Sequence, residues 1–384
     1  MSKPAPFQPL GKFEWPSTTV NRGVDLALSQ LLKSLRRSNK DAGIDPNLLS
    51  PAPRDLLDRI CEPPAHFPLL AEMDATLSAW TADESASDRV QTIILPPCDR
   101  EDLLGQWAKT HTLQTFGTDR KMAELDALDD PHATPLVIPK LERRFLRTRS
   151  GLHDIRQLLD RLSVMERRII IGCNSWAWQF LRKSCEIDLI FDAPMTFQAF
   201  DKNRLRVWLG TLALDPADGA NLCFRSASSG QDVFSNGEGE ADVSEFISDL
   251  AKASIGVPWV AWHLWKDSLH VANAIEADEM SVEPIISEAD PRETIWVTDI
   301  RPPSVPSRSD QNALLVLHAL LIHGGLTGDQ IVQTVPLVTY THVLASLVRS
   351  GLIDKVDGLY RCRPAAYPVI RDGLNNSGYP VDVL

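Results

Sequence analysis

Short apolar runs alternate with amphipathic stretches through the middle of this chain. Val90-Gln-Thr-Ile-Ile-Leu95 is the first run, Pro135-Leu-Val-Ile138 the second and Arg168-Ile-Ile-Ile-Gly172 the third. Asp188-Leu-Ile-Phe191 reads as a fourth, and His111–Phe116 as a further, more polar strand. Helical spacing fills the gaps over Asp102–Thr110, Gly151–Leu162, Trp176–Lys183 and Phe200–Leu209. Wholly apolar strands alternating with helices predict a parallel sheet covered on both faces, an α/β domain over 89–212.

The flanks follow other patterns. Residues 1–88 read as a mainly helical region. Val24–Arg37 sets Leu26, Leu28, Leu31, Leu32 and Leu35 at helical spacings and ends in Lys33, Arg36 and Arg37. Pro68–Trp80 predicts a second helix, its proline in the first turn where no N–H is missed, and Thr81–Asp88 a loop. Residues 213–300 read as a helical lid: Val243–Ala253 and Trp259–Ala274 are helical, and Ser226–Glu240, rich in Ser, Gly and acids, reads as a mobile insert. Residues 301–384 read as a Pro-rich linker, Arg301–Arg308, and a separate unit. There Gln311–Ile322 predicts a helix, Gly324-Gly325 a turn, and Thr327 the cap of a second helix running to Val335. Thr339–Arg349 predicts a third helix after Pro336. Gly351–Lys355 and Leu359–Cys362 flank Asp357-Gly358, a hairpin turn. Three helices and a two-strand wing resemble a winged helix-turn-helix.

Charge and composition narrow the function. A net charge of -12 over 384 residues repels phosphate backbones and anionic lipid surfaces. No run approaches the roughly 20 apolar residues of a membrane span, and no apolar signal core follows Met1. The expectation is a cytoplasmic protein. Cys61, Cys98, Cys173, Cys185, Cys223 and Cys362 show no CxxC pairing and no zinc spacing with His, so reduced thiols and no metal site are expected. No GxSxG is present either.

A sheet of this kind binds ligands at the C-terminal ends of its strands. In P-loop ATPases the first strand runs into GxxxxGK[ST], whose N–H groups and Lys hold the phosphates. Here it runs into Leu95-Pro-Pro-Cys-Asp-Arg-Glu-Asp-Leu-Leu104. Two prolines remove donors, Asp99, Glu101 and Asp102 repel a triphosphate, and Arg100 is the only base. The one GK pair, Gly11-Lys12, follows no strand.

The order of the remaining elements nevertheless resembles an AAA+/STAND-type P-loop ATPase over roughly 89–275. Pro135-Leu-Val-Ile-Pro-Lys-Leu-Glu142 resembles a Walker B strand in which Pro139 or Lys140 stands at the metal-ordering acid and Glu142 near the catalytic acid. Ile169-Ile-Ile-Gly-Cys-Asn-Ser175 resembles the first sensor strand, with Asn174 or Ser175 as the polar sensor. Ser254-Ile-Gly-Val-Pro258 resembles the Gly-x-Pro turn of STAND lids. The resemblance implies an α/β, P-loop-NTPase-like fold with a helical lid and a C-terminal winged helix-turn-helix, and allows a homo-oligomer. It leaves Glu142, Asn174 and Ser175 as vestiges of a catalytic site, and Asp99 and Arg100 at a degenerate phosphate loop. No cofactor is expected, with ATP or ADP left open.

The remaining candidates concern partners. Arg143, Arg144 and Arg147 form a dense basic stretch. Trp259, Trp262 and Trp265 repeat along one side of a helix, as a stacking platform or as packing. Arg361 and Arg363 lie in the wing. The third helix carries a single Arg, at its end, and residues 310–384 hold five basic and six acidic residues. Base-reading helices carry Arg, Lys, Asn or Gln, so a protein partner is expected ahead of DNA. The function implied is a non-catalytic ATPase-like regulator or scaffold. The alternatives are an active ATPase with an unusual phosphate loop and a DNA-binding regulator.

Overall fold

The computed structural model describes residues 6–16, 43–64, 68–82, 89–117, 121–214, 222–234, 244–272, 293–301, 303, 311–340 and 342–384. The expected helix Val24–Arg37 with its basic end, and most of the 301–308 linker, lie outside them. The strands, in chain order, are β1 (Gln8–Pro9), β2 (Leu49–Pro51), β3 (Val90–Leu95), β4 (Leu136–Ile138), β5 (Ile169–Asn174) and β6 (Met195–Thr196). They continue with β7 (Leu222–Ser226), β8 (Leu269–Ala272), β9 (Glu293–Val297), β10 (Leu326–Thr327), β11 (Ile353–Val356) and β12 (Leu359–Cys362).

The chain divides into two compact units. One comprises residues 1–14, 65–198 and 303–384, the other 15–64 and 199–302.

The first unit is built on a five-stranded sheet in the order β1-β6-β3-β5-β4. β3 and β5 run parallel from Val90 opposite Ile169 to Leu95 opposite Asn174. β4 is parallel to β5, and β6 to β3, while β1 closes the edge antiparallel. The apolar runs are buried as their composition requires: Ile93, Ile94 and Ile169 through Ile171 are 0% exposed, each such side chain contributing about 1.5–3 kcal/mol. Helices Leu103–Thr110, Arg149–Val164 and Ser175–Cys185 follow β3, β4 and β5. Segment 111–116 is no full strand, but Thr115 bridges Val137 in parallel beyond β4.

The expected strand Asp188–Phe191 is wrong. Ile187–Ile190 is a helical turn, because only Ile187 and Phe191, four residues apart, are buried, while Leu189 is 78% exposed. The strand lies just beyond, at Met195–Thr196.

In the same unit the C-terminal segment forms helices Gln311–His323, Gly328–Thr334 and Val343–Arg349 with a sheet in the order β10-β12-β11. Thr327 and Gln330 form a capping box at the second helix. β11 and β12 pair around Asp357 and Gly358, both at positive φ as a type I′ turn requires. The third helix starts at Val343, a tight turn Pro336–Tyr340 taking the place of its expected first residues. A closing helix, Tyr367–Asn376, completes the segment.

The second unit holds a sheet as well as the helices expected over 213–300. Helices Lys202–Leu214, Glu245–Ser254 and Pro258–Ser268 accompany a sheet in the order β2-β8-β9-β7. The helix expected to reach Ala274 stops at Ser268, where the chain turns into β8 and pairs with β2 and β9. Trp259 and Trp265 are 3% and 2% exposed. Trp265 packs on Phe224, Phe234 and Phe246 at 5.5–5.7 Å. Trp262 Nε1 donates to Cys61 O at 3.2 Å. Trp259 and Trp265 therefore belong to the core of this unit, while Trp262 is half-buried.

Candidate functional site at the strand ends

At the end of β3 the chain turns through Pro96–Asp102 into the Leu103–Thr110 helix, the position of a phosphate loop. The first N–H groups of a helix are its anion-binding donors. Here the loop's own carboxylates take them. Asp99 Oδ2 accepts from Leu103 N–H at 3.0 Å, and Asp102 Oδ1 from Gly105 N–H at 3.3 Å. Gly105 is what admits the second carboxylate, since a Cβ there would sit 2.2 Å from Asp102 Oδ2. Asp102 itself lies at φ 59, a left-handed conformation that Asp tolerates better than most residues. Burial pushes the Asp99 carboxyl up, opposed by the charge of Lys140, whose Nζ donates to Asp99 O at 3.0 Å. Arg100 points out of the loop, donating to both carboxylate oxygens of Asp354 at 2.9 and 3.1 Å and to Cys362 O at 2.9 Å.

The ends of β4 and β5 bring Glu142 and Asn174 together. Glu142 Oε2 accepts from the Asn174 N–H at 3.2 Å. Asn174 Oδ1 caps the following helix at Ala177 N–H, 2.8 Å, and its Nδ2 donates to Ile322 O at 2.9 Å. Burial pushes Glu142 up to about 7 against the charges of Lys140 and Arg143. Ser175 Oγ donates to Asp382 at 2.5 Å; the same carboxylate accepts from Tyr367 OH and is paired with Arg371.

The basic stretch after Glu142 is drawn into the same contact. Arg143 donates to Gly324 O at 3.1 Å. The Arg147 N–H donates to His323 Nε2 and its guanidinium to His318 Nδ1 at 2.9 Å. Burial, reinforced by Arg147, lowers His318 to about 3; burial also lowers His323, to about 4, so both rings are neutral acceptors. Arg144 lies over the Phe116 ring and donates to Gly117 O.

What remains among these groups is a cavity of about 50 Å³, lined from β3, β4 and β5 and, from the C-terminal segment, by Leu320, Leu321, Gly324, Arg361 and Cys362. Small-molecule sites run to about 300–1,000 Å³. Two of the helix's first N–H groups are capped by carboxylates, and two prolines stand where N–H groups would be needed to hold a phosphate. Among the described residues no group of three or more His, Cys, Asp or Glu could hold a metal ion. No described helix is long and apolar enough to cross a membrane.

No protein-family model and no curated protein matches the sequence. Among solved structures the chain is similar to the ORC2 protein of Aeropyrum pernix, in its ADPNP–ADP complexes, at 14% identity and a TM-score of 0.34, covering 87% of this chain and 97% of that one. It is similar to a Walker-type ATPase of Pyrococcus abyssi at 10% identity and a TM-score of 0.33, covering 78% and 97%. Cdc6p from Pyrobaculum aerophilum follows at 11% and 0.30, covering 87% and 100%. Scores this low carry neither a fold nor a function across to this chain.

Of the residues singled out in the sequence, Asp99, Arg100, Glu142, Asn174, Arg143 and Arg361 meet around the one cavity, with Ser175 and Arg147 beside it. Arg143 and Arg147 are thus held in internal contacts rather than presented to a partner, because each finds a carbonyl or imidazole acceptor on the Gln311–His323 helix and its following turn. Arg363 is exposed and stands apart. The acceptors Asp354, His318, His323 and Asp382 carry no motif, and no local signal points to them.

Proposed function

We propose that this chain is a non-catalytic ATPase-like protein of the AAA+/STAND type, a regulatory or scaffold component that works through protein–protein contacts. In this reading the C-terminal helices and hairpin are a winged helix packed over the strand ends of a degenerate P-loop module. The observation that carries it is the self-capped helix after β3: Asp99 and Asp102 occupy the N–H groups that would hold a phosphate. Without those donors, a P-loop Lys or a magnesium-binding acid, stabilisation of phosphoryl transfer is lost. The paired Glu142 and Asn174 support an ATPase-like ancestry for the site, the Asn174 side chain and the Glu142 carbonyl now serving the contact with the Gln311–His323 helix.

A protein partner fits the outer face of the C-terminal segment better than DNA does. Val332, Leu337 and Val348 are 39%, 66% and 42% exposed there, and the exposed positions of the third helix, Ala345, Ser346, Val348 and Arg349, include one base. All six cysteines are free thiols, four of them buried, which supports a reducing compartment such as the cytoplasm.

Calorimetry with ATP and ADP in the presence of magnesium, alongside phosphate release, tests the reading. No heat and no turnover are expected. Magnesium-dependent turnover that falls on Glu142→Gln would establish an active ATPase instead. Salt-dependent binding to duplex DNA, lost on Arg363→Gln, would favour the DNA-binding alternative.

A further inference from the structure

Four cationic side chains converge on the strand-end cavity, from three separate places in the chain. Arg100 comes from the loop after β3, Lys140 and Arg143 flank Glu142, and Arg361 reaches in from β12. Arg100 is matched by Asp354, and Lys140 lies against Asp99. Arg143 and Arg361 are less closely matched among the described residues: the foremost carboxyl acting on Arg143, Glu142, ahead of Asp102, is the group that burial drives toward its neutral form, and Asp354 and Asp357 act on Arg361 less than burial and the neighbouring arginines do. Arg361 is further disfavoured by the charges of Arg143 and Arg100. Its Nε–H is buried and has no acceptor among the described residues. Leaving a buried charged donor without an acceptor costs more than an ordinary lost hydrogen bond.

The backbone is arranged to keep Arg361 there. Gly325, at φ 135, lies so close beneath the side chain that a Cβ would meet Arg361 Cγ at 2.7 Å. A Cβ on its neighbour Gly324 would stand 3.8–4.0 Å from Asn174 Nδ2, Glu142 Oε1 and Arg143 Nε, so the Gly-Gly turn borders the same polar groups. The cavity of about 50 Å³ has room for roughly three to five water-sized centres at 10–15 Å³ each. Four oxygens around one central atom fill that volume.

We propose that this cavity is a binding site for a single small tetrahedral oxyanion, inorganic phosphate or sulfate, held by Arg361 and Arg143 with Lys140 behind them. The anion takes the Arg361 Nε–H that has no acceptor, neutralises charge shared by the α/β sheet and the hairpin, and ties the two together. A nucleoside attached to the phosphate is excluded by volume. The proposal goes beyond the regulatory reading above and does not need it.

The test is sodium sulfate and, separately, sodium phosphate titrated into the full-length chain against sodium chloride of matched ionic strength, read by melting temperature and calorimetry. ATP without magnesium is titrated in parallel. A saturable, one-to-one response to sulfate and phosphate beyond the chloride control is expected, weakened tenfold or more in Arg361→Gln and unchanged in Arg363→Gln, the exposed arginine two residues on. Should Arg361→Gln fail to fold, Lys140→Gln is read in its place, with weakened binding expected again. No response beyond chloride in the wild type, or undiminished binding in the folded variant, overturns the proposal. ATP binding tighter than sulfate overturns the volume argument and the non-nucleotide reading together. Sulfate binding without ATP binding leaves both standing, and the absence of both overturns the oxyanion site alone.

Discussion

The loop after β3 and the ends of β4 and β5 face one cavity and satisfy their polar groups in opposite ways. The loop is satisfied largely from within: Asp99 and Asp102 cap the helix four and three residues on, respectively. The strand ends are satisfied from far away. Asn174 reaches Ile322, 148 residues along the chain, Arg143 reaches Gly324, 181 along, and Ser175 reaches Asp382, 207 along. A loop whose own carboxylates cap the helix keeps those two N–H groups occupied whatever the C-terminal segment does. Strand ends that depend on the C-terminal segment are structural only while it is in place. The loop's contribution to stability should therefore be small and local, that of the strand ends large and shared.

Asp382→Ala tests the large side. Its carboxylate is buried and serves Ser175, Tyr367 and Arg371 at once. Removing one partner of a buried charged pair costs about 3–5 kcal/mol, a fall in melting temperature of roughly 10 °C for a unit of this size. Thermal unfolding followed by circular dichroism measures it. A fall of only one or two degrees would mean that the strand ends do not depend on this contact.

Glu142→Gln sharpens the comparison through pH. The folded carboxyl titrates at about 7 instead of the ordinary 4.5. Folded protein therefore holds a proton that unfolded protein has released, and this contribution, fully present below pH 4.5, is lost as pH rises to 7. Gln accepts the same Asn174 N–H and does not ionise. The variant should match wild type near pH 4.5 and gain on it up to pH 7, by as much as roughly 3 kcal/mol. His318 and His323 act in the other direction, and in both proteins alike. Held neutral, with values of about 3 and 4, they contribute stability above pH 6.5 that is lost as pH falls. Parallel stability curves for variant and wild type would show that Glu142 is not held neutral.

This division also explains what the sequence made legible. Apolar runs and helical spacing located β3, β4, β5 and the helices behind them, because parallel strands buried on both faces leave a local signature. The hairpin at Asp357-Gly358 was legible because φ > 0 at two successive residues selects that dipeptide. Ile187–Ile190 misled because a four-residue apolar run has no period to distinguish turn from strand. The strands within 213–300 were obscured because β8 follows directly on an apolar helix with no Gly or Pro between them. Arg143 and Arg147 read as surface charge because their acceptors, Gly324 O and His318 Nδ1, are assigned by tertiary contact alone. Nothing local distinguishes Asp354 or Asp382 from any other surface acid.

Arg100 is the exception that links the two regions, since it belongs to the self-satisfied loop and pairs with Asp354 254 residues away. Both side chains are about a quarter exposed, which screens the pair and keeps it well below a fully buried one. Arg100→Ala should cost about 1–2 kcal/mol, with Asp354→Ala similar, and a double-mutant cycle should return a coupling near 1 kcal/mol. Zero coupling in denaturant unfolding would separate the loop from the C-terminal segment altogether.

The smallest effects belong to the loop's own caps. Asp102→Ala and Asp99→Ala each remove a side-chain acceptor from one helix N–H, a loss of about 1 kcal/mol, and urea unfolding should resolve each against wild type. The sharper question is what the freed donors then do. If self-capping alone kept nucleotide out, the double variant Asp99→Ala/Asp102→Ala would gain ATP binding in calorimetry. It should not, because Pro96 and Pro97 still supply no N–H, no lysine enters from the helix, and Gly324 and Arg361 still border a cavity of about 50 Å³. Gain of ATP binding would put the closure of this site in two carboxylates rather than in the loop and the segment packed across it.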